Sequence, residues 1–525
     1  MPTHCSKLAG LATALLITVQ PTAAQYAAYS PKRELRAIWV ATAENLDYPE
    51  KPTTWPTAQR QEWKDLLEDY RELGFNAVFF QIRPAADAFY PSELVPWSAF
   101  LTGKQGLPPD PEYDLLQFLI EEAHRQGLEF HAWMTPFRAS TSLNVSRFSP
   151  RHVMKQHPGW VLRYGGAYFL NPGIPAVREH LSKVVMEVVD NYDIDGLHFD
   201  GYFYPEPIRG LPFPDEKTFA EQNDGAFGSI GDWRRDNLDQ FIKMVSESMK
   251  SAKPHLYFGI SPYGIWRNDT QDRRGSPTAA EFTSYDDLYA DALKWAERGW
   301  VDYLAPQLYW PIDFEPAGHS RLQRWWSVHK SEAALFIGHN AFKIINGREA
   351  AWREADELPR QIGLTRRNRR ISGHLLFSSS AVLRDPLGLK DSLRQLYQQP
   401  ALIPERPTLE LRAAAAPKLK KVKNKRGNAL VRWQPNKADE AHPPHYYVLY
   451  RFQGARVGRL EDAEAILRIT EPGAEPQRQY KHLDRRVEDR KVYTYVVTAV
   501  NRAHQESRPS QPVSIRVTGG KVKKF

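Results

Sequence analysis

The sequence predicts a (β/α)8 TIM-type barrel followed by a small all-β sandwich. Apolar β-type runs alternate with segments of helical period eight times between residues 33 and 400, as a closed parallel barrel requires. The connections that follow the second to fifth runs are long, whereas those that follow helices are short. Past Pro400 the alternation stops, and short β-type runs succeed one another without helices between them.

The first run is RAIWVAT (36–42). The helix after it has Pro56 near its start, Trp63, Leu66, Leu67, Tyr70 and Leu73 at helical spacing, and Gly74 as its stop. AVFFQIR (77–83) follows, and Asp110-Pro111 then opens a helix with Leu115, Leu116, Leu119, Ile120 and Ala123 on one face, ending at Gly127. EFHAWMT (129–135) precedes a helix from about Pro175 to Asn191. GLHFDGYF (196–203) precedes one built on Leu238, Phe241, Ile242, Val245 and Met249. LYFGISP (256–262) leads to a helix carrying Tyr285, Leu288, Ala292 and Trp295, stopped by Gly299. YLAPQLYW (303–310), LFIGHNAF (335–342) and GHLLFSSS (373–380) complete the set. An open doubly wound sheet is the alternative, and eight regular repeats favour closure. The long connections, 84–111, 136–174, 204–231 and 263–283, are rich in aromatics and poor in Gly/Ser tracts. Loops of that length and composition in a compact domain are functional rather than disordered, which makes the C-terminal rim the working face.

Residues 1–24 read as a secretory signal peptide: Lys7 precedes the apolar run Leu8 to Val19, and Thr22-Ala23-Ala24 offers small residues for cleavage. That run is too short to span a bilayer comfortably, and no other stretch predicts a membrane helix. The expected location is the periplasm or cell envelope. Cys5, the only cysteine, precedes the apolar run, the wrong place for a lipid anchor, and leaves with the leader. Disulfides, thiolate metal sites and a cysteine nucleophile are thereby excluded.

The net charge of +8 divides unevenly: from Arg412 onward there are 25 Lys+Arg against 11 Asp+Glu, or +14, and the remainder carries −6. Fourteen of fifteen tryptophans precede residue 400, so the large part has the stacking surfaces of a ligand-binding enzyme. The basic tail suits weak contact with an anionic cell-wall polymer, a solvated basic surface being the plain alternative. Nothing in it resembles a nucleic-acid module. Residues 401–428 read as a Pro-, Ala- and Lys-rich linker with the first sandwich strand, and 415–520 as the sandwich, with runs at 429–433, 445–452, 464–470, 492–501 and 512–517.

Residues two apart on a strand share a face, so His198 and Asp200 point one way in DIDGLHFDGYFYP (193–205) and Leu197 and Phe199 the other. Asp200, at the end of a buried parallel strand, is the first choice for an essential carboxylate. The other strand ends add Asn45 and Asp47; Arg83 and Asp87; Trp133 and Arg138; Tyr202 and Tyr204; Tyr263, Trp266 and Arg267; and Gln307, Tyr309, Trp310 and Asp313. Rings stack on the apolar faces of pyranoses while carboxylates, amides and guanidinium groups hydrogen-bond hydroxyls, so the set points to a glycan. Hydrolysing one takes a protonated carboxyl and a second carboxylate. Asp87 and Asp313 are the candidate partners, each also readable as structural. Arg83 with Asp87 also reads as a rim salt bridge, and His198 as an interior histidine. No cofactor is implied. The histidines form no metal cluster by spacing, and RAIWVAT lacks the His-x-His pair of metal-dependent barrel hydrolases.

RAIWVAT, NLDYP, GFNAVFFQIRPAADAFYPSE, FHAWMTPFRAS, HPGW, YFLNPGIPAVREH, DGLHFDGYFYP, SPYGIWRN, LYADALKWAERGWVDYLAPQLYW and GHNAF occur in this order. With them residues 33–400 resemble the glycosyl hydrolase-like family 10. The resemblance implies a (β/α)8 barrel in the cell envelope acting on glycan strands, most concretely peptidoglycan strands stripped of their peptides. A non-catalytic scaffold that binds cell-wall glycan is the alternative. Its ground is Gly201, which stands where the family usually has a second acid after Asp200. The C-terminal part resembles a fibronectin type III domain, with Trp433 at the second-strand tryptophan position and Tyr493 at the tyrosine-corner position.

Overall fold

The computed structural model describes residues 30–439, 443–470 and 477–525. The expected leader, 1–24, with Cys5, lies outside them. Eight parallel strands close a barrel: β1 (Leu35–Val40), β2 (Ala77–Arg83), β3 (Glu129–Met134), β4 (Gly196–Asp200), β5 (Tyr257–Ser261), β6 (Tyr303–Leu304), β7 (Ala334–Asn340) and β8 (Gly373–Phe377). Both faces of such strands are covered, which is why the sequence gives near-continuous apolar runs rather than alternation. Ile38, Val40, Val78 and Phe80 face outward into the helix layer. Ala37, Trp39, Phe79, Tyr303, Phe336 and Leu375 fill the interior.

Helix α1 (Pro56–Leu73) starts with proline and stops at Gly74, whose φ of 89° a side chain would resist. Helix α2 (Leu115–Gln126) begins later than the Asp110-Pro111 signal suggests, because the Asp114 carboxylate accepts the Gln117 N–H at 3.0 Å and is the true cap. Helices α3 (Pro175–Asn191) and α4 (Ile230–Ala252) form as expected. The helix expected around Tyr285–Trp295 is two short ones, α5 (Ser284–Asp287) and α6 (Ala292–Glu297). Tyr289 lies between them at φ 54°, and Asp291 caps the second. The long rim loops are built rather than loose. One carries a three-stranded antiparallel sheet, Arg138–Ser140, Val161–Tyr164 and Ala167–Leu170.

Beyond the barrel, a three-stranded antiparallel sheet (Lys418–Lys425, Asn428–Gln434, Tyr480–Asp484) accompanies a five-stranded one. The second sheet runs Ile466–Thr470, Tyr446–Gln453, Val492–Val500, Val513–Thr518, Lys521–Lys524. Trp433 is fully buried and stacks on Tyr480 with centroids 5.8 Å apart. The Tyr493 hydroxyl accepts the Glu488 backbone N–H at 3.1 Å, fixing the approach to its strand. The start of the expected linker is not free. Leu402 accepts the Glu34 N–H at 2.9 Å and donates to Lys32 O at 2.8 Å, and Ile403 enters the barrel interior from below. The sandwich therefore sits at the N-terminal mouth, opposite the strand ends that carry Asp200. Among the described residues no helix is long and apolar enough to cross a membrane.

Candidate active site

At the C-terminal ends of the strands lies a cleft of about 370 Å³. Its walls are mainly rings: Trp39 from β1, Trp133 from β3, Tyr202 after β4, Tyr309 after β6 and Phe377 from β8. Its polar lining is Gln81, Arg138, Asp200, Glu206, Ser261 and Gln307.

Asp200 ends β4 and is 7% exposed. One carboxylate oxygen accepts the Thr135 hydroxyl at 2.9 Å; the other is buried without a hydrogen-bond partner. Thr135 is itself placed by Gln81, whose amide donates to the Thr135 hydroxyl at 3.2 Å. The Gln81 carbonyl oxygen accepts the backbone N–H groups of Thr42 and Ala43 at 3.0 and 2.9 Å. A chain of hydrogen bonds thus runs from β1 through β2 and β3 to the acid on β4. Burial pushes the Asp200 carboxyl up to about 6, against the opposing pull of the Arg138 guanidinium, the Thr135 hydroxyl and the Trp133 indole. A carboxyl in that range holds its proton in mildly acidic solution and keeps a fraction of it at neutral pH, which suits general acid work.

Under the acid, His198 is fully buried, with its ring nitrogens 3.0 Å from the Tyr303 hydroxyl and 3.1 Å from the Ser261 hydroxyl. Burial holds its pKa well below the ordinary value, so it is a neutral part of the cleft floor. Gln307 is fixed by donating to Ser261 O at 3.2 Å and accepting the Tyr202 hydroxyl at 3.2 Å.

Of the residues expected at this site, Trp133, Arg138, Asp200, Tyr202, Gln307 and Tyr309 converge on the cleft, and His198 underlies it. The remainder lie outside its lining. Asp87 is buried in the loop after β2, where Gln105 donates to it at 3.0 Å, and it does not line the cleft. The expected Arg83–Asp87 pair is not made: the Arg83 guanidinium donates to the Thr135 and Pro136 carbonyls at 2.8 and 2.9 Å. Asp313 is exposed on the loop after β6, outside the cleft. Asp47 accepts from Ala41 N, the Ser378 hydroxyl and Ser380 N, tying the ends of β1 and β8. Asn45 donates to the Pro49 and Phe100 carbonyls. Tyr204 is buried against Phe213 and Tyr289, and Trp266 donates to Asp291. Arg267 forms a double hydrogen bond with Asp286 at 2.8 and 2.9 Å. Tyr263 and Trp310 pack edge to face on each other, outside the lining.

Sequence reading missed Glu206, Thr135, Ser261 and Phe377. Thr135 shares strand parity with Trp133, so period two alone signals it. Glu206 stands in a loop, where no periodicity says which side chain turns inward; it is the second carboxylate of the cleft, and it is exposed. Gly201 has a local cause as well. A Cβ there would lie 2.6 Å from Pro262 Cα and 2.7 Å from Ser261 O, so a side chain at 201 would strike the backbone after β5.

A ring-walled cleft holding a protonatable acid at the C-terminal face of such a barrel belongs to the glycosidases. Residues 34–354 match the family model described as Glycosyl hydrolase-like 10, and the chain belongs to that family. "Glycosyl hydrolase YngK" of Bacillus subtilis is 42% identical over 484 residues, covering 91% of this chain and 93% of that protein. "Glycosyl hydrolase DigH" of Escherichia coli K12 is 38% identical over 372 residues, covering 65% of this chain and 82% of that protein. Among solved structures, the PgaB (BpsB) glycoside hydrolase domain from Bordetella bronchiseptica matches with a TM-score of 0.48 at 14% identity, covering 69% of this chain and 99% of that one. The protein is a glycosidase, and its partner is a glycan.

Proposed function

We propose that the protein cuts peptidoglycan glycan strands from which the peptides have been removed, outside the cytoplasm, with Asp200 as general acid and Glu206 as the second acidic group. The observation that carries this reading is the state of Asp200. It is buried among rings, with one oxygen held by Thr135 and the other uncommitted, and its carboxyl is raised to about 6. The open oxygen donates the proton to the departing glycosidic oxygen, while the carboxylate of Glu206 activates water or meets the positive charge developing on the sugar. Trp133, Tyr202 and Tyr309 supply stacking faces. Removing the peptide from a muramic acid residue exposes a lactyl carboxylate, and Arg138, a cation in the cleft wall, is the group that would recognise it. The leader motif supports export, and the basic C-terminal part supports a weak second hold on anionic wall polymer.

The test is to incubate the protein with intact and amidase-stripped peptidoglycan and measure new reducing ends. The stripped strands are expected to be cut, Asp200→Asn to lose about 10²–10⁴-fold in rate, and Glu206→Gln to lose a comparable factor. Undiminished cutting by Asp200→Asn would overturn the assignment of the acid. Arg138→Gln should reduce the preference for muramic-containing strands over chitin oligomers by about tenfold, the effect of one charged contact.

A further inference from the structure

We propose that Glu129, His445 and His504 bind one divalent transition-metal ion, with zinc the best match, at the joint between barrel and sandwich, with Asp195 beside them. Glu129 starts β3 and Asp195 immediately precedes β4, so both lie at the N-terminal mouth, opposite the cleft. His445 and His504 come from the sandwich, far away in sequence, which is why spacing along the chain predicts no metal cluster. Folding brings one donor atom each from Glu129, His445 and His504 within 4.8 Å of one another.

One pair is in direct contact, and His445 stands off at a spacing that suits a shared ion. His504 Nε2 lies 2.9 Å from Glu129 Oε1. His445 Nε2 stands 3.9 Å from the same oxygen and 3.8 Å from Asp195 Oδ1, too far to hydrogen-bond either. Ligands at zinc bond lengths around a tetrahedron stand about 3.3–3.6 Å apart, so small side-chain movements would equalise Glu129, His445 and His504, and water would complete the tetrahedron. All four residues line one small cavity of about 10 Å³, the space for a single water or ion.

The carboxylates are also braced as metal ligands usually are. Glu129 turns Oε1 to the site while Oε2 lies 3.3 Å from His131 Nε2. Asp195 turns Oδ1 to the site while Oδ2 is held by His124 Nε2 at 2.7 Å and Phe130 N at 2.8 Å. Two arginines line the same cavity, and their hydrogen bonds go to groups outside the ligand set. Arg502 pairs with Asp193 at 3.0 Å, and Arg406 donates to the His255 and Leu256 carbonyls. One carboxylate and two imidazoles with no thiolate suit zinc over softer ions, and a set spanning both units makes the ion a clamp between them.

The test uses the full chain, stripped with chelator and titrated with Zn²⁺ by calorimetry. One equivalent per chain is expected, with a raised thermal midpoint. Each of His445→Gln and His504→Gln should weaken binding by at least about 100-fold, beyond the usual cost of losing a supporting contact, and abolish the zinc-dependent rise. Glu129→Gln, which keeps side-chain shape, serves as a further ligand deletion, and far-UV circular dichroism confirms folding of every variant. Co²⁺ in place of Zn²⁺ should give the intense visible band of four-coordinate cobalt. The absence of saturable binding, binding unchanged in folded variants, or a weak six-coordinate cobalt spectrum would each overturn the proposal.

Discussion

Replacing Asp200 with asparagine should stabilise the protein at neutral pH while removing the acid. The Asp200 carboxyl stands at about 6 in the folded chain against an ordinary value of 3.8. Between those values the folded state keeps a proton that the unfolded state has released. Stability therefore falls as pH rises from about 4 to about 6, and above that range the buried carboxylate is a constant burden. The difference of roughly two pKa units corresponds to about 3 kcal/mol at pH 7.5. Asparagine has nearly the same shape and never ionises, so it lacks this penalty. Equilibrium urea unfolding of wild type and Asp200→Asn at pH 4 and pH 7.5 measures the effect. The variant should match wild type at the lower pH and exceed it by about 1–3 kcal/mol at the higher. An equal offset at both values, or a less stable variant at pH 7.5, would refute the claim that burial sets the state of this acid.

Other outcomes follow from the same contacts. The alkaline limb of the rate profile should fall near pH 6, where Asp200 loses its proton. Arg138→Gln removes a charge that favours the ionised form, so the limb should move upward by about half a pKa unit to one unit; a downward shift would count against the pairing. Gly201→Asp must force a side chain into the backbone at Pro262 and should cost about 1–3 kcal/mol, seen as a lower thermal midpoint. Tyr493→Phe deletes the hydroxyl that accepts Glu488 N and should cost the sandwich about 1 kcal/mol in denaturant unfolding, with hydrolysis unaffected.

The eight barrel strands were legible because burial on both faces leaves an apolar run that no other element explains, and Asp200 because its strand ends where catalytic groups gather. Helix starts were less so: Asp110-Pro111 carries a start signal, but the Asp114 side chain makes the capping bond. The break at Tyr289 follows from a left-handed backbone that helical spacing does not reveal.

The sequence by itself determined the layers and the strand-end parity, since both are periodicities written locally along the chain. Tertiary structure alone decided which carboxylates meet. Asp87, Asp313 and Glu206 all stand in loops after strands, and nothing local separates them; the path of each loop brings Glu206 to the lining of the cleft that holds Asp200, buries Asp87 under Gln105 and leaves Asp313 in solvent. The gathering of Glu129, Asp195, His445 and His504 is of the same kind. Proximity between residues remote in sequence is set by how whole units pack, and no spacing along one segment encodes it.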